Sequence, residues 1–163
     1  MLKQKYILIA GICIALLIIA IQFYIINNNS LVSSKEDKIE AAPIELAKVM
    51  FHNQRYMDKL YFSGINENWE AAEFYHHELE ENMEVLLENT IVDDGIDISN
   101  LSELIFTPAI LSLKTSIASK KKDVFLEGYK VMVNSCNSCH NASKKGFIII
   151  TLPASPAFKN QEF

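Results

Sequence analysis

The chain opens with a block that has no helical or strand period at all. From Tyr6 to Ile26 every residue is apolar or small except Gln22. At about 1.5 Å per residue such a helix spans roughly 31 Å, the thickness of a bilayer's hydrocarbon core. Lys3 and Lys5 precede it and no acid occurs before Glu36, so the positive flank is expected in the cytoplasm and the rest of the chain outside. A cleaved signal peptide needs a shorter apolar core and small residues at the cut. The apolar run here continues to Ile26, and the one weak cut, after Ala20, has Ile18 where a small residue belongs. An uncleaved signal anchor over residues 1–26 is the preferred expectation. Cys13 is preceded by Ile12, which does not suit a lipoprotein site and reads better as a buried cysteine of a membrane helix.

After a polar tether over residues 27–41 the pattern changes to helical periodicity. Leu46, Val49, Met50, Asn53, Met57, Leu60 and Tyr61 share one stripe of a helix expected over Ala42–Phe62, with His52, Arg55 and Lys59 opposite and Gly64 as its C-cap. Trp69, Ala72, His76, Leu79, Met83, Leu86 and Leu87 share a face of a second helix over Trp69–Glu88, capped by Asn68. Asp93-Asp94-Gly95 marks a break. A third helix is expected over Leu101–Ser119, with Asn100 and Glu103 as a capping box and a kink at Pro108; a start at Thr107-Pro108 is the alternative. A fourth over Asp123–His140 carries Phe125, Tyr129, Met132, Val133, Cys136 and His140 on its inner face. From about residue 146 an extended tail follows, with an apolar patch and Pro153 and Pro156, expected to pack on the helices. The predicted class is all-α: an antiparallel four-helix bundle over residues 42–163 behind an N-terminal transmembrane helix.

Composition narrows this picture. The 163 residues are half apolar, with five Gly and four Pro, which excludes a disordered or collagen-like chain. The first 26 residues hold two of the 15 basic residues and none of the 20 acidic ones, so the remainder carries 13 against 20, a net −7. An acidic domain argues against nucleic acid as a partner. Glu78, Glu80, Glu81, Glu84 and Glu88 give the second helix an acidic face, which is ordinarily solvated surface and can also steer a cationic redox partner. Lys120-Lys121-Lys122 reads as a solvated helix end that complements the helix dipole. No Ser/His/Asp order, phosphate loop or HExxH is present, and no catalytic residue is expected.

One motif carries chemistry. Cys136-Asn137-Ser138-Cys139-His140 is the CxxCH pattern of covalent c-type haem attachment. Each thiol adds to a haem vinyl group as a thioether, and the adjacent imidazole is then placed to bind iron. Cys136 and His140 stand i and i+4 on a helix and share a face. A structural zinc site wants four ligands, and no second pair lies at zinc spacing. A thioredoxin-like dithiol wants a βαβ setting and a helix N-terminus. An outside location suits covalent haem.

With CxxCH in the last of four helices, residues 42–141 resemble cytochrome c′ and the cytochrome c-556 type of four-helix bundle. More closely, the chain looks like a group of bacterial c-type cytochromes of that shape. The carrying segments are Met50 with Gln54, Lys59-Leu60, Asn68-Trp69, the 136–140 pentapeptide, Gly146-Phe147-Ile148, and Pro156, Phe158 and Asn160-Gln161-Glu162-Phe163. The tail after His140 is longer than in ordinary cytochrome c′. The resemblance implies one covalent haem c on Cys136 and Cys139 and His140 as the proximal iron ligand. It implies a distal side chain from the first helix, which makes Met50 the leading candidate, with Met57 and His76 as alternatives. A Met or His there makes a low-spin electron carrier, and an apolar residue leaves iron open to small gases. The expected function is single-electron transfer by Fe(II)/Fe(III) cycling, with a gas-binding or sensing haem protein as the alternative. A peroxidase lacks an inward distal His–Arg pair, since His52 and Arg55 fall on the polar face; a plain anchored bundle with a local disulfide is the non-haem reading. Expected partners are redox proteins of the respiratory or periplasmic chain, the bacterial cytoplasmic membrane through the anchor, and a second copy, since such bundles often pair. The domain is expected to face the periplasm or the cell exterior.

Overall fold

The computed structural model describes residues 16–24 and 45–163. The chain divides into two units, Met1–Pro43 and Ile44–Phe163. Residues 16–24 are helical, with exposed side chains. The rest of the expected membrane segment, the tether and residues 42–44 lie outside the described residues.

The second unit is mostly helical. Its elements are α1 (Leu46–Ile65), α2 (Trp69–Leu87), a minimal hairpin of β1 (Val92–Asp93) and β2 (Ile96–Asp97), α3 (Ile98–Ala118) and α4 (Lys122–Ala142). The hairpin pairs Val92 with Asp97 and Asp93 with Ile96 around Asp94 and Gly95, both at positive φ. A tail from Ser143 to Phe163 has no regular element.

The stripes predicted for α1, α2 and α4 turn inward, except Leu87 at the end of α2, which is exposed. Val49, Met57 and Leu60 of α1, Ala72, Leu79, Met83 and Leu86 of α2, Ile110, Leu113 and Ile117 of α3, and Phe125, Tyr129, Met132 and Val133 of α4 form one core. By length and composition α3 is apolar enough to cross a membrane, and Ile110, Leu113 and Ile117 on one of its faces are buried in this core.

Side-chain contacts fix how the helices run. Tyr129 Oη donates to the Met57 carbonyl at 2.8 Å, and Gly64, farther along α1, lies against the ring of Phe125, earlier on α4. The two helices therefore run in opposite directions. Asn82 with Val49 and Lys59 with Tyr75 show the same for α1 and α2, and Ser135 with Ile105 and Gly128 with Ser116 for α3 and α4.

Several local expectations change. Gly64 is inside α1, buried under Phe125, and the cap is Asn66. Asn68 does cap α2, accepting from the Ala71 N–H at 3.2 Å. The third helix starts earlier than expected, at Ile98, and its cap is Asp97, which accepts from the Asn100 N–H at 2.9 Å; no Asn100–Glu103 box forms. A short polar side chain directly before the helix wins over one already inside it. Ahead of Pro108 the helix relaxes into a π turn over Ser102–Phe106, which re-spaces backbone bonds around the missing proline donor.

Candidate functional site

The CxxCH pentapeptide occupies the last two turns of α4. Phe125, Tyr129, Met132 and Val133 hold this helix against the core, so its inner stripe runs on through Cys136, which borders that core, to half-buried Cys139 and His140. Both cysteines are free thiols. Burial pushes the Cys136 thiol up to about 11, with the neighbouring Cys139 adding to the effect, and burial raises Cys139 as well. A catalytic or redox dithiol needs the opposite, a thiolate stabilised near neutral pH.

Helix α4 ends in a Schellman turn. Lys144 takes the left-handed conformation, at φ 61°, the Lys145 N–H reaches back to the His140 carbonyl at 2.7 Å, and the Lys144 N–H reaches the Asn141 carbonyl at 3.2 Å. The turn sends the tail back over the pentapeptide. Lys145 is held outside by Asp94, at 2.6 Å, and by Asp93, at 3.2 Å. The Lys145 ammonium keeps the Asp94 carboxyl below its ordinary value, through a hydrogen bond and through its charge.

The imidazole of His140 meets the returning tail. Its Nδ1 lies 2.9 Å from the carbonyl oxygen of Ile148. A carbonyl only accepts, so Nδ1 carries the hydrogen and Nε2 keeps its lone pair. That is the tautomer a metal-binding imidazole needs, with the second nitrogen anchored to a backbone oxygen. Two thiols and one oriented imidazole on a single helical face are the donor set that a covalently attached haem uses, and in this respect the residues fit the group. Among the described residues no three His, Cys, Asp or Glu side chains gather as a metal-ion site. Comparison of the chain with protein-family models, with curated proteins and with solved structures gives no match.

The three distal candidates differ sharply in their surroundings. Met50 is half-buried at the edge of the core, and its Sδ lies 3.9 Å from Asn53 Nδ2. Continuing the Met57–Tyr129 and Gly64–Phe125 pairings at equal rise along both helices brings Met50 level with the segment Cys136–Cys139. Met57, about two turns farther along the same stripe of α1, is buried, and its carbonyl accepts from Tyr129 Oη. His76 is buried and has both nitrogens engaged: Nε2 with the Ile110 carbonyl at 2.9 Å and Nδ1 with the Glu80 carboxylate at 3.3 Å. It cross-links α2 to α3, and of the three it has the least donor capacity to spare.

Several polar groups at this end make contacts that the periodicity does not report, including Asn53, which it does place on the inner stripe. Asn53 donates to Met83 Sδ at 2.9 Å and accepts from Asn82, so an amide pair and two thioethers share the α1–α2 contact beside Met50. Asn137, one of the two unspecified positions of CxxCH, binds Ile150 through both of its side-chain atoms. Asp58, on the buried side of α1, accepts from the Ala157 N–H at 3.2 Å, and burial raises its carboxyl although that bond opposes the shift. Arg55, exposed as its helical face predicts, and half-buried Lys59 lie over the Phe158 ring, and Lys59 and Tyr75 converge on Gln161. The tail is thus pinned across α1 and α2 to its end, where Phe163 meets Phe62.

Proposed function

We propose that this chain is a membrane-anchored c-type cytochrome: an antiparallel four-helix bundle on an N-terminal transmembrane helix, carrying one covalent haem c and passing single electrons. The observation that carries the reading is the CxxCH pentapeptide with its imidazole already oriented, Nδ1 on the Ile148 carbonyl and Nε2 free. Cys136 and Cys139 would hold the haem as thioethers and His140 would ligate iron through Nε2. When bound, the haem supplies an Fe(II)/Fe(III) couple.

The protein's own contribution is burial and orientation. The core of Leu60, Leu79, Met132 and Tyr129 excludes water from the side of α4 that carries the motif. The Ile148 carbonyl fixes the proximal ring and raises its basicity. Met50, level with the motif and at the core edge, is the proposed distal ligand, with Met57 next and His76 last. Proposed partners are redox proteins of the respiratory or periplasmic chain, met outside the bacterial cytoplasmic membrane. The exposed Glu84 and Glu88 are available to steer a cationic partner, whereas Glu80 is engaged with His76 and Lys114 and Glu81 lies 3.3 Å from His77.

A haem protein that binds small gases is the second reading. It is favoured by one observation: the Met50 sulfur leans on Asn53 of its own helix. A pyridine haemochrome assay on the full chain, made in cells with haem-attachment machinery, tests the first step. A thioether-type haemochrome that stays with denatured protein supports the cytochrome; colourless protein with two alkylatable thiols ends both haem readings. The reduced spectrum then separates carrier from gas binder, the first being low-spin and indifferent to carbon monoxide.

A further inference from the structure

The two residues between the cysteines of CxxCH carry no chemistry in the attachment reaction. In this chain one of them is not idle. Asn137 Nδ2 donates to the Ile150 carbonyl at 2.9 Å, and the Ile150 N–H donates to Asn137 Oδ1 at 2.8 Å. The side-chain amide therefore exchanges two hydrogen bonds with one backbone residue, as a paired strand residue would. Only an amide side chain offers a donor and an acceptor side by side for this.

Ile150 is two residues beyond Ile148, whose carbonyl receives the His140 Nδ1–H. The loop from His140 to Ile150 is closed at its near end by the Schellman turn, through Lys145 N–H to the His140 carbonyl at 2.7 Å. It is steadied in the middle by the Ile148 N–H on the Lys145 carbonyl at 2.8 Å. Asn137 closes the far end. Beyond it, the next hydrogen bond from the tail to a helix is at Ala157, on Asp58.

We propose that Asn137 is a positioning residue for the proximal histidine: it clamps the tail at Ile150 so that the Ile148 carbonyl stays on Nδ1 and His140 is held with Nε2 open. The tail is then a structural part of the haem site, and its grip sets the basicity of the ligand. This rests on the haem reading above for its consequence at iron, but the effect on the imidazole belongs to the chain alone.

The test uses the full chain in detergent, made with and without haem-attachment machinery, as parent, Asn137→Ala and Asn137→Asp. In the haem-free chain, ¹⁵N imidazole spectra at a pH where His140 is neutral are expected to move from an Nδ1–H pattern in the parent toward Nε2–H in the Ala variant. The Asp variant, which keeps an acceptor for the Ile150 N–H but loses the donor, is expected between them. Limited proteolysis is expected to cut between Ile149 and Pro156 faster in the Ala variant, with the far-ultraviolet helical signal unchanged. In the haem-loaded chain the reduction potential is expected to rise, because a less basic imidazole stabilises Fe(III) less. An unchanged tautomer pattern, tail cleavage and potential in Asn137→Ala would overturn the proposal. A parent that takes up no haem would defeat the cytochrome reading instead, while the imidazole spectra and the proteolysis would still decide the clamp.

Discussion

Gly64 of α1 lies directly under the ring of Phe125 of α4: a Cβ at position 64 would sit inside the aromatic ring's van der Waals envelope. Phe125 is fully buried and also contacts Trp69 and Tyr129, so it has no room to yield. Here a glycine in the last turn of the helix is a packing requirement, where the helical pattern suggested a terminator.

Gly64→Ala sets two effects against each other. Helix propensity favours Ala by about 1 kcal/mol. Overpacking a closed core costs about 1–3 kcal/mol. The collision is with a rigid ring, so the second effect wins, and a net loss of up to about 2 kcal/mol is expected in denaturant unfolding. The double variant with Phe125→Leu should lose less than the sum of the two single changes, because the smaller side chain admits the methyl group. Additive losses would show that the contact is not the cause.

Lys144 holds the left-handed position of the Schellman turn that returns the tail to the motif. A non-glycine residue there bears a steric cost of about 1–2 kcal/mol, part of which glycine gives back as chain entropy in the unfolded state. Lys144→Gly is expected to raise unfolding stability by about 0.5–1 kcal/mol. Lys144→Ala, which removes the same charge without relieving the backbone, should be close to neutral. Equal gains in both variants would assign the effect to charge.

Asp58 couples stability to pH. Burial raises its carboxyl above the ordinary range, with the Ala157 N–H and Lys59 pulling the other way. With the native value above the unfolded one, the folded state binds the proton more readily. This group's contribution to stability is therefore fullest at acid pH and declines as pH rises from the ordinary Asp range, near 3.9, through the raised native value. Asp58→Asn keeps an acceptor for Ala157 and removes the charge. It is expected to be more stable than the parent at pH 7, with the gap closing below about pH 4. A less stable Asn variant at neutral pH would mean that the charged hydrogen bond to the tail outweighs the burial cost.

What the sequence revealed and what it hid divide along physical lines. Apolar period 3.6 located α1, α2 and α4 to within a few residues and named most of the core, because burial acts on every turn of a helix. The Asn68 cap was legible for the same local reason. The early start of α3 at Asp97, the π turn before Pro108 and the role of Gly64 depend on which residue reaches a neighbour first, and no periodicity reports that. At the motif, Cys136, Cys139 and His140 were legible as residue types at fixed spacing. The Ile148 carbonyl and the Asn137 clamp were not, since one is backbone and the other stands at a position the motif leaves free. Lys59 read as polar helix surface and Asp58 drew no reading at all, because their partners lie about 100 residues away in the tail.

On the proposed haem reading, Met50 is the residue on which the choice between carrier and gas binder turns. Extending the Met57–Tyr129 pairing at equal rise along the two antiparallel helices puts Met50 at the height of the motif, and its sulfur is 3.9 Å from Asn53 Nδ2, which also donates to Met83 Sδ at 2.9 Å. The N–H···S contact to Met50 is long and weak, so the thioether is not committed to it. Met83 is buried and more tightly held, which leaves Met50 as the sulfur with freedom to turn. In haem-loaded protein, Met50→Ala is therefore expected to convert a low-spin reduced spectrum to a high-spin one that shifts with carbon monoxide. Met57→Ala is expected to keep the low-spin spectrum while losing about 2–5 kcal/mol of stability, the usual range for a truncated core methionine. A low-spin spectrum that survives Met50→Ala but not Met57→Ala would transfer the ligand to Met57. A parent that is high-spin and already binds carbon monoxide would make Met50 a packing residue and the gas-binding reading the better one.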